Sequence, residues 1–485
     1  MNITMRFTRE QKQLAVAIAM YVLCFFWLAY RRFMVFGWDT GDFGSYHDMF
    51  WWTFRGKPFL FAPRGYSILG VHAEFLWIQL LPVLWLFPGV PALIFMQSLA
   101  IGMAGVPLYL IARKLFGDHT TALLLMLAFL FFPPIVSQHV NQVEAAPFIA
   151  VYLLFAFYFY MCKRFGLFML FAVIACLGRE NVSLAIAMFG VYAVLQRRGW
   201  KWILTPPALC AVYFPTVTFV VMPWFRQGVQ WETTARMFRY LGSSTGEIVT
   251  NALTNPGLVL NHLWSAEIIQ YVLFLVQPLA WVLPFLSPAC LLALPDLALN
   301  TVSDNNALRV IGWHYNVVTG SVLFVSAVLG MKKVAGWLRR RLGGEEPVML
   351  MAAALVVLSL AHWYLWFNLS QYRRLPEHDT LVRALQIVPR DKSILVPNSL
   401  PGHVCGRAHW DTIGAFQDQP EYAAQYEFVL VDVNERRFNP PMTREFFESL
   451  YRNPQYQLRF AENGVFVFQR SGGESDWKIP WKPKL

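Results

Sequence analysis

One short stretch, WDTGDFGSYHDMFWW at residues 38–52, places four ionisable side chains among aromatic residues: Asp39, Asp42, His47 and Asp48. A carboxylate within hydrogen-bond reach of a hydroxyl group can take its proton as a general base. Aspartate is ionised at neutral pH, and partial burial among aromatic rings raises its basicity. The stretch therefore contains candidate general bases.

Two other interpretations of this stretch stay open from the residues alone. Asp42 could be the N-cap of a helix predicted to start near Phe43, because aspartate accepts hydrogen bonds from the free N–H groups there. Asp39, Asp42 and His47 could also supply metal ligands, but their spacing matches no standard motif. The sequence therefore predicts no metal site, and it leaves any cofactor, a divalent metal included, undetermined.

The elements that must position these residues are membrane-spanning helices. The 485-residue chain is 56% hydrophobic and only 14% charged, whereas soluble domains carry about 25% charged residues. Many apolar runs reach the roughly 17–25 residues of a membrane span. The first run, Leu14 to Tyr30, is followed by two arginines and by no small-residue cleavage site, so we expect no cleaved signal peptide. The composition predicts a multi-spanning α-helical membrane protein.

The net charge and the cysteine positions bear on which ligands the protein binds. The net charge of +11 does not indicate nucleic acid, because lysine and arginine gather in the cytoplasmic loops of membrane proteins. None of the six cysteines has CxxC spacing; five lie in or beside apolar segments, and Cys405 stands alone in a polar region. The sequence therefore predicts neither structural disulfides nor a thiolate metal site.

Clusters of lysine and arginine mark the predicted cytoplasmic side. Because the chain must cross the membrane an even number of times between two clusters, roughly ten or eleven spans are predicted. The N-terminus is predicted to be cytoplasmic, and the membrane is predicted to be the inner (plasma) membrane. The run at 268–294 is interrupted by three prolines and is predicted as two short, kinked pieces. The clusters are Arg6 to Lys12, Arg113 and Lys114, Lys163 and Arg164, Arg197 to Lys201, and Lys332 to Arg341.

The composition changes from about Asn368 onward. SILVPN, YEFVLVDV and GVFVFQR are strand-like runs, and DTLVRALQIV and TREFFESLYRN carry apolar residues at helical spacing. A tail of this length suffices for a small domain. We predict a polytopic membrane domain at 1–367 and an extracytoplasmic α/β domain at 368–485.

The predicted topology collects ionisable residues from five separate loops on the outer side. Charged groups at a membrane usually face a cavity or one another. Polar loop ends would explain any single residue, but the convergence of the whole set predicts a polar cleft. The set comprises Asp39, Asp42, His47, Asp48, His72, Glu74, His139, Asn141, Glu144, Arg179, Glu180, His314 and Tyr315.

Basic residues also fall on the predicted outer side, against the positive-inside trend. The planar guanidinium group binds phosphate in a bidentate manner, so these arginines favour an anionic headgroup. Snorkelling to lipid phosphates explains Arg31 and Arg32 equally well. It explains Arg179 less well, because that residue lies between two short apolar runs with Glu180 beside it.

Several stretches, in order, resemble a family of prokaryotic membrane proteins known as a domain of unknown function. They are DFGSYHDMFW, GVHAEFLWIQLLPVLWLFP, MQSLAIGMAGVPLYLIARKLFG, HVNQVEAAPF, LGRENVSLAIAMFGVY, HYNVVTGSVLF and, in the tail, VPRDKSILVPNSLPGHVCGR. The chain departs from the family pattern at HVNQVE and at Glu180-Asn181. The resemblance therefore implies no role for Glu144 or Asn181.

This family in turn resembles the GT-C membrane glycosyltransferases, which take a sugar from a polyprenyl-phosphate carrier. The resemblance implies Asp42 as the catalytic base, and we expect Asp39 to orient the acceptor or to hold a metal. It implies membrane lipids, a polyprenyl-phosphate-linked sugar and a glycan, lipid or protein acceptor as partners. The residues expected to bind substrate are His47, His72, Glu74, Arg179, Glu180, His314 and Tyr315.

The sequence leaves two other classes of function open, because a fold does not determine a function. A non-catalytic lipid or solute transporter could share the helical scaffold. A structural protein of envelope assembly could bind its partner through the outer domain.

Overall fold

The computed structural model describes residues 8–38, 41–140, 143–229, 237–342, 347–407, 409–413, 420–434 and 444–471. Helices make up most of these residues, and one mixed sheet lies near the C-terminus.

The N-terminal helices lead into the outer loop. Helix α1 (Arg9–Met34) begins with a capping box, in which the Thr8 side chain accepts from the Gln11 N–H. Helix α2 (Gly41–Thr53) begins two residues before the predicted start, so Asp42 lies in its first turn. An antiparallel pair of two-residue strands, β1 (Leu60–Phe61) and β2 (Tyr66–Ser67), and a 3-10 helix (Phe75–Leu80) follow and lead into α3 (Leu81–Leu86).

The next helices form the buried centre of the membrane part. Asp118 caps the helix at His119–Leu130 by accepting from the Thr121 N–H, and Gly117 ends the helix before it with a φ of 73°, a conformation that favours glycine. The sequence predicts one span over Thr121 to Val136, but the helix bends by 60° where Pro133 and Pro134 remove N–H donors. The helices are α4 (Val90–Phe116), α5 (His119–Leu130), α6 (Pro133–Val136), α7 (Ala146–Met161), α8 (Phe165–Cys176) and α9 (Val182–Leu195).

A long helix and a set of shorter ones follow. The predicted pair of kinked pieces at 268–294 is one helix followed by three 3-10 turns, each of which contains a proline. The helices are α10 (Trp200–Thr216), which continues through a π-helical turn into α11 (Met222–Arg226), then α12 (Thr245–Thr254), α13 (Pro256–Leu263), α14 (Ala266–Val276), α15 (Leu294–Val302), α16 (Val317–Leu342) and α17 (Val348–Trp366).

The multi-spanning helical architecture is confirmed. Among the described residues, five helices are long and apolar enough to cross a membrane, or up to seven if each of two bent pairs is one span. Five shorter apolar helices lie beside them, α7, α8 and α9 included. The number of ten or eleven spans remains a prediction.

The C-terminal region forms a five-stranded mixed sheet with strand order β4-β3-β5-β7-β6. Strands β4, β3 and β5 are parallel, whereas β5, β7 and β6 are antiparallel. The elements are α18 (Pro376–Ile387), β3 (Ile394–Val396), α19 (Pro401–Val404), β4 (Trp410–Thr412), α20 (Pro420–Ala423), β5 (Phe428–Asp432), α21 (Arg444–Arg452), β6 (Tyr456–Glu462) and β7 (Val465–Arg470).

Both faces of this sheet are covered. Alternate strand residues point to opposite faces, so Ile394 and Val396 pack with Leu381 of α18, and Leu395 packs with Phe446 of α21. The predicted small α/β unit is therefore present. Its boundary at residue 367 remains a prediction.

The α/β unit packs closely on α1 and α2. The His403 ring stacks on Phe33 with ring centroids 4.0 Å apart. A Cβ atom on Gly44 of α2 would lie only 2.7 Å from both the Pro401 Cβ and the Trp410 ring. Glycine at position 44 therefore permits the close approach of α2 to the α/β unit.

Candidate active site

Arg179 lies in the short loop between α8 and α9. A Cβ on the preceding Gly178 would lie 2.2 Å from Ile149, so the loop packs directly on α7. The Arg179 Nη2 lies 2.9 Å from Glu74 Oε1, and the Trp77 indole N–H donates to Glu74 Oε2 at 2.8 Å. Because Glu74 is only 1% exposed, its carboxylate needs these partners.

Glu180, the next residue, is paired with a different segment. The His72 Nδ1 lies 2.9 Å from Glu180 Oε1, and the Ala73 N–H donates to Oε2 at 3.1 Å. Burial raises the pKa of Glu180, but the charge of His72 and its hydrogen bond outweigh this and lower it to about 2. Arg179 and Glu180 thus fix both ends of the segment from His72 to Glu74.

A third carboxylate, Glu144, approaches from the loop before α7. Its Oε1 lies 3.1 Å from His314 Nδ1, and the Tyr46 hydroxyl of α2 lies 3.2 Å from its Oε2. Burial raises the pKa of Glu144, whereas the charge and hydrogen bond of His314 lower it; the net direction is down. These contacts join α2, α7 and the segment before α16.

Asp296 is a fourth buried carboxylate beside the cluster. Its Oδ1 accepts from the Asn181 amide at 2.9 Å, and its Oδ2 accepts from the Thr319 hydroxyl at 2.7 Å. Asn181 follows Glu180 directly, so this contact holds α9 against α15 and α16.

These pairs surround one cavity of about 170 Å³. It brings together five of the residues predicted to bind substrate, from three separate parts of the chain. Glu74, a sixth, contacts Arg179. The five are His72, Arg179, Glu180, His314 and Tyr315; Asn181, Asp296 and Asn300 also line the cavity. Their role in binding remains a prediction.

The guanidinium of Arg179 keeps one donor that no described residue of this cluster satisfies. Arg179 Nε is buried and has no hydrogen-bond partner among the described residues. A guanidinium offers five N–H donors, and buried donors are normally satisfied.

Two of the remaining predicted residues, His47 and His139, lie away from this cavity. Asp39 is outside the described residues, as is the side chain of Asp42, whose backbone lies one helical turn before Tyr46. His47 lines a different cavity, beside Cys405. His139 lies in the core, where its ring nitrogens contact Ser98 and Tyr21. Asn141 is outside the described residues.

Three residues belong with the cluster although the sequence predicts no role for them. Glu144 and Asn181 depart from the family pattern, yet both contact the cluster directly. Asp296 lies within the apolar run LLALPDLALN, where a carboxylate is costly and indicates polar surroundings.

The fold is that of a polytopic helical membrane protein with a small α/β unit and a buried polar cluster. ArnT from Cupriavidus metallidurans in the apo state superposes with a TM-score of 0.53 at 13% identity, over 93% of this chain and 98% of that one. Residues 38–467 match the family described as Predicted membrane protein (DUF2079). The chain therefore belongs to this family, as the sequence resemblance predicted.

Two further structures are less similar. ArnT from Cupriavidus metallidurans bound to undecaprenyl phosphate has a TM-score of 0.48 at 13% identity, over 92% of this chain and 97% of that one. The Archaeoglobus fulgidus oligosaccharyltransferase has a TM-score of 0.41 at 14% identity, over 89% and 69%. Neither score supports a conclusion about this chain. No curated relative matches the sequence.

Proposed function

We propose that the protein is an integral-membrane glycosyltransferase, which moves a sugar from a polyprenyl-phosphate donor to an acceptor at the extracytoplasmic face. One observation carries the proposal. Residues from three separate parts of the chain meet around a cavity beside a buried guanidinium with an unpartnered N–H. The GT-C architecture is consistent with this activity, and the proposed orientation places the N-terminus in the cytoplasm and the α/β unit outside.

In this proposal, Arg179 and His72 bind the donor phosphate. Both line the cavity, and hydrogen bonds from a charged donor to a phosphate oxygen are stronger than neutral ones. Glu74 and Glu180 hold these two side chains in place at 2.9 Å each. Positive charge fixed before the reaction stabilises the negative charge that develops on a leaving group.

Asp42 is the proposed general base. The acceptor hydroxyl attacks the anomeric carbon, its proton passes to the Asp42 carboxylate, and the bond from that carbon to the phosphate oxygen breaks. The electron pair leaves with the polyprenyl phosphate. Asp39 would orient the acceptor. The support for Asp42 is its position in the first turn of α2, one turn before Tyr46, whose hydroxyl contacts Glu144.

The test uses purified full-length protein in detergent and a panel of polyprenyl-phosphate hexoses and pentoses. Membranes from cells that lack the protein supply the acceptor, and mass spectrometry measures the released polyprenyl phosphate. We expect Asp42→Asn to reduce release at least about 100-fold, in the range that general-base catalysis contributes. Arg179→Gln is expected to lower release as well, because the phosphate loses its cation.

Asp118→Asn is the matched control, since it changes a carboxylate at another helix start, where it caps α5. Asparagine caps helices as well as aspartate, so this variant should keep full activity. Unchanged release by Asp42→Asn would contradict the assignment of the base. Movement of the intact sugar lipid across vesicles by wild type and Asp42→Asn alike, without release, would instead support a transporter.

A further inference from the structure

Three potential metal ligands meet where α2 contacts the α/β unit. They are His47 and Asp48 of α2 and Cys405, which directly follows α19. Their nearest ligand atoms all lie within 4.8 Å of one another, and His47 Nδ1 lies 3.8 Å from Asp48 Oδ1. A small rotation of the side chains would bring all three atoms to one ion at about 2.0–2.3 Å, the usual zinc–ligand range.

The imidazole in this cluster has the Asp48 carboxylate 3.8 Å away, which is too far for a hydrogen bond. His47 Nδ1 is buried and makes no hydrogen bond with any described residue, although buried polar atoms are normally satisfied. The side chain of His47 is 16% exposed, so water has little access to it. A nitrogen in this position, facing a thiol and a carboxylate, is suited to bind a cation.

The carboxylate of Asp48 is already oriented. It is fully buried and accepts from the Gly406 N–H at 2.6 Å through Oδ1 and from the Trp410 indole N–H through Oδ2. Ligating carboxylates are held in this way by outer hydrogen bonds. One donor, Gly406, directly follows Cys405, and the other, Trp410, is the first residue of β4.

A cavity of about 350 Å³ opens beside the cluster. His47 and Cys405 line it, together with Trp51, Arg390 and Arg407. Three protein ligands with an open position toward a cavity are the arrangement of zinc sites that also hold water or a ligand atom. The mixed nitrogen, oxygen and sulfur donors favour a borderline-soft ion over magnesium or calcium.

We propose that His47, Asp48 and Cys405 bind a divalent transition metal of the zinc type, with the fourth position facing this cavity. The ion joins α2 to the α/β unit. The site is separate from the cavity at Arg179, and it stands or falls independently of the glycosyltransferase proposal. It also differs from the ligand set of Asp39, Asp42 and His47 that the sequence left open.

The test is Co²⁺ binding to full-length protein in detergent after removal of bound metal with a chelator. Thiolate ligation produces a sulfur-to-cobalt charge-transfer band in the near ultraviolet, and tetrahedral geometry produces intense bands in the visible. We expect both bands in the wild-type protein, saturating at one ion per chain and lost when Zn²⁺ is added. Absence of the charge-transfer band in wild-type protein would overturn the proposal.

Substitutions of the proposed ligands test where the ion binds. Cys405→Ser and His47→Gln should each abolish the charge-transfer band or weaken Co²⁺ binding at least about 100-fold, whereas the matched control Cys162→Ser should leave both unchanged. Trp410→Phe removes an outer hydrogen bond to Asp48 and should weaken binding by about 10- to 100-fold. If a monodisperse Cys405→Ser variant keeps the band, another thiolate is the ligand and the assignment is wrong.

Discussion

Arg179 lines the cavity, whereas its ion-pair partner Glu74 does not. Glu74 is almost completely buried, and the Arg179 side chain is 13% exposed. Removing one partner of a buried ion pair leaves an uncompensated charge, at a cost of about 3–5 kcal/mol. The pair therefore matters to stability as well as to the position of the guanidinium.

We expect Glu74→Gln to lower the free energy of unfolding by roughly 3 kcal/mol, measured by thermal unfolding in detergent. The matched control is Glu10→Gln, which breaks the half-exposed pair of Glu10 with Arg113. Exposed pairs contribute about 0–1 kcal/mol, so the control should change little. Equal losses in the two variants would show that Glu74 is not held as the structure indicates.

The pair of Glu180 and His72 predicts a pH dependence. The pKa of Glu180 falls from 4.5 to about 2 in the folded protein, so its contribution is fully present above about pH 4.5 and disappears as the pH approaches 2. The shift corresponds to about 3 kcal/mol at most. Compared with Glu180→Gln, wild-type protein should therefore be more stable at pH 6, and the difference should shrink steadily below pH 4.5. A difference independent of pH would contradict the ion pair.

At the scale of elements, the contact of α2 with the α/β unit depends on Gly44. We expect Gly44→Ala to destabilise the protein by about 1–3 kcal/mol, because the new Cβ would meet Pro401 and Trp410 at 2.7 Å. Gly166→Ala in α8 is the control, since its Cβ would meet nothing within 4 Å. Alanine is the better helix former, so the control should be neutral or slightly stabilising. Thermal unfolding measures both.

Uninterrupted apolar runs are readily predicted from the sequence, whereas short elements and contacts between distant residues are not. The apolar run from Val182 to Leu195 coincides with α9, because such a run leaves few alternatives. The strand-like runs that became β3, β5 and β7 were also recognised. Strand β4 has three residues, and β6 is mostly exposed, so neither gives an apolar run to detect.

The sequence predicts which residues belong to the candidate site, but it does not predict which of them form ion pairs with one another. Loop charge placed His72, Arg179 and His314 on one side of the membrane, and the structure brings them to one cavity. Nothing in the sequence indicates that Glu74 pairs with Arg179 and Glu180 with His72, since the partners lie 105 and 108 positions apart. The thiol of Cys405 was dismissed for the same reason: its neighbours in space are far away in the chain.

The membrane part and the α/β unit share buried hydrogen bonds, so we expect neither to be stable without the other. We expect a chain ending at Asn368 to yield little monodisperse protein, because Asp48 loses the Gly406 and Trp410 donors and the α2 face becomes exposed. A chain ending at Ser471 keeps every described strand and serves as the control. Size-exclusion chromatography of both truncated chains measures the outcome, and a well-behaved short form would contradict the dependence.

The hydrogen bonds of Asp48 also set an order of assembly. Its donors are encoded 358 and 362 positions later, and synthesis proceeds from the N-terminus at about 5–20 residues per second. For that interval the nascent chain carries a carboxylate that its own later residues have yet to cover. Only a chain synthesised as far as Trp410 contains both donors, so the Asp48 carboxylate is among the last buried groups to be satisfied.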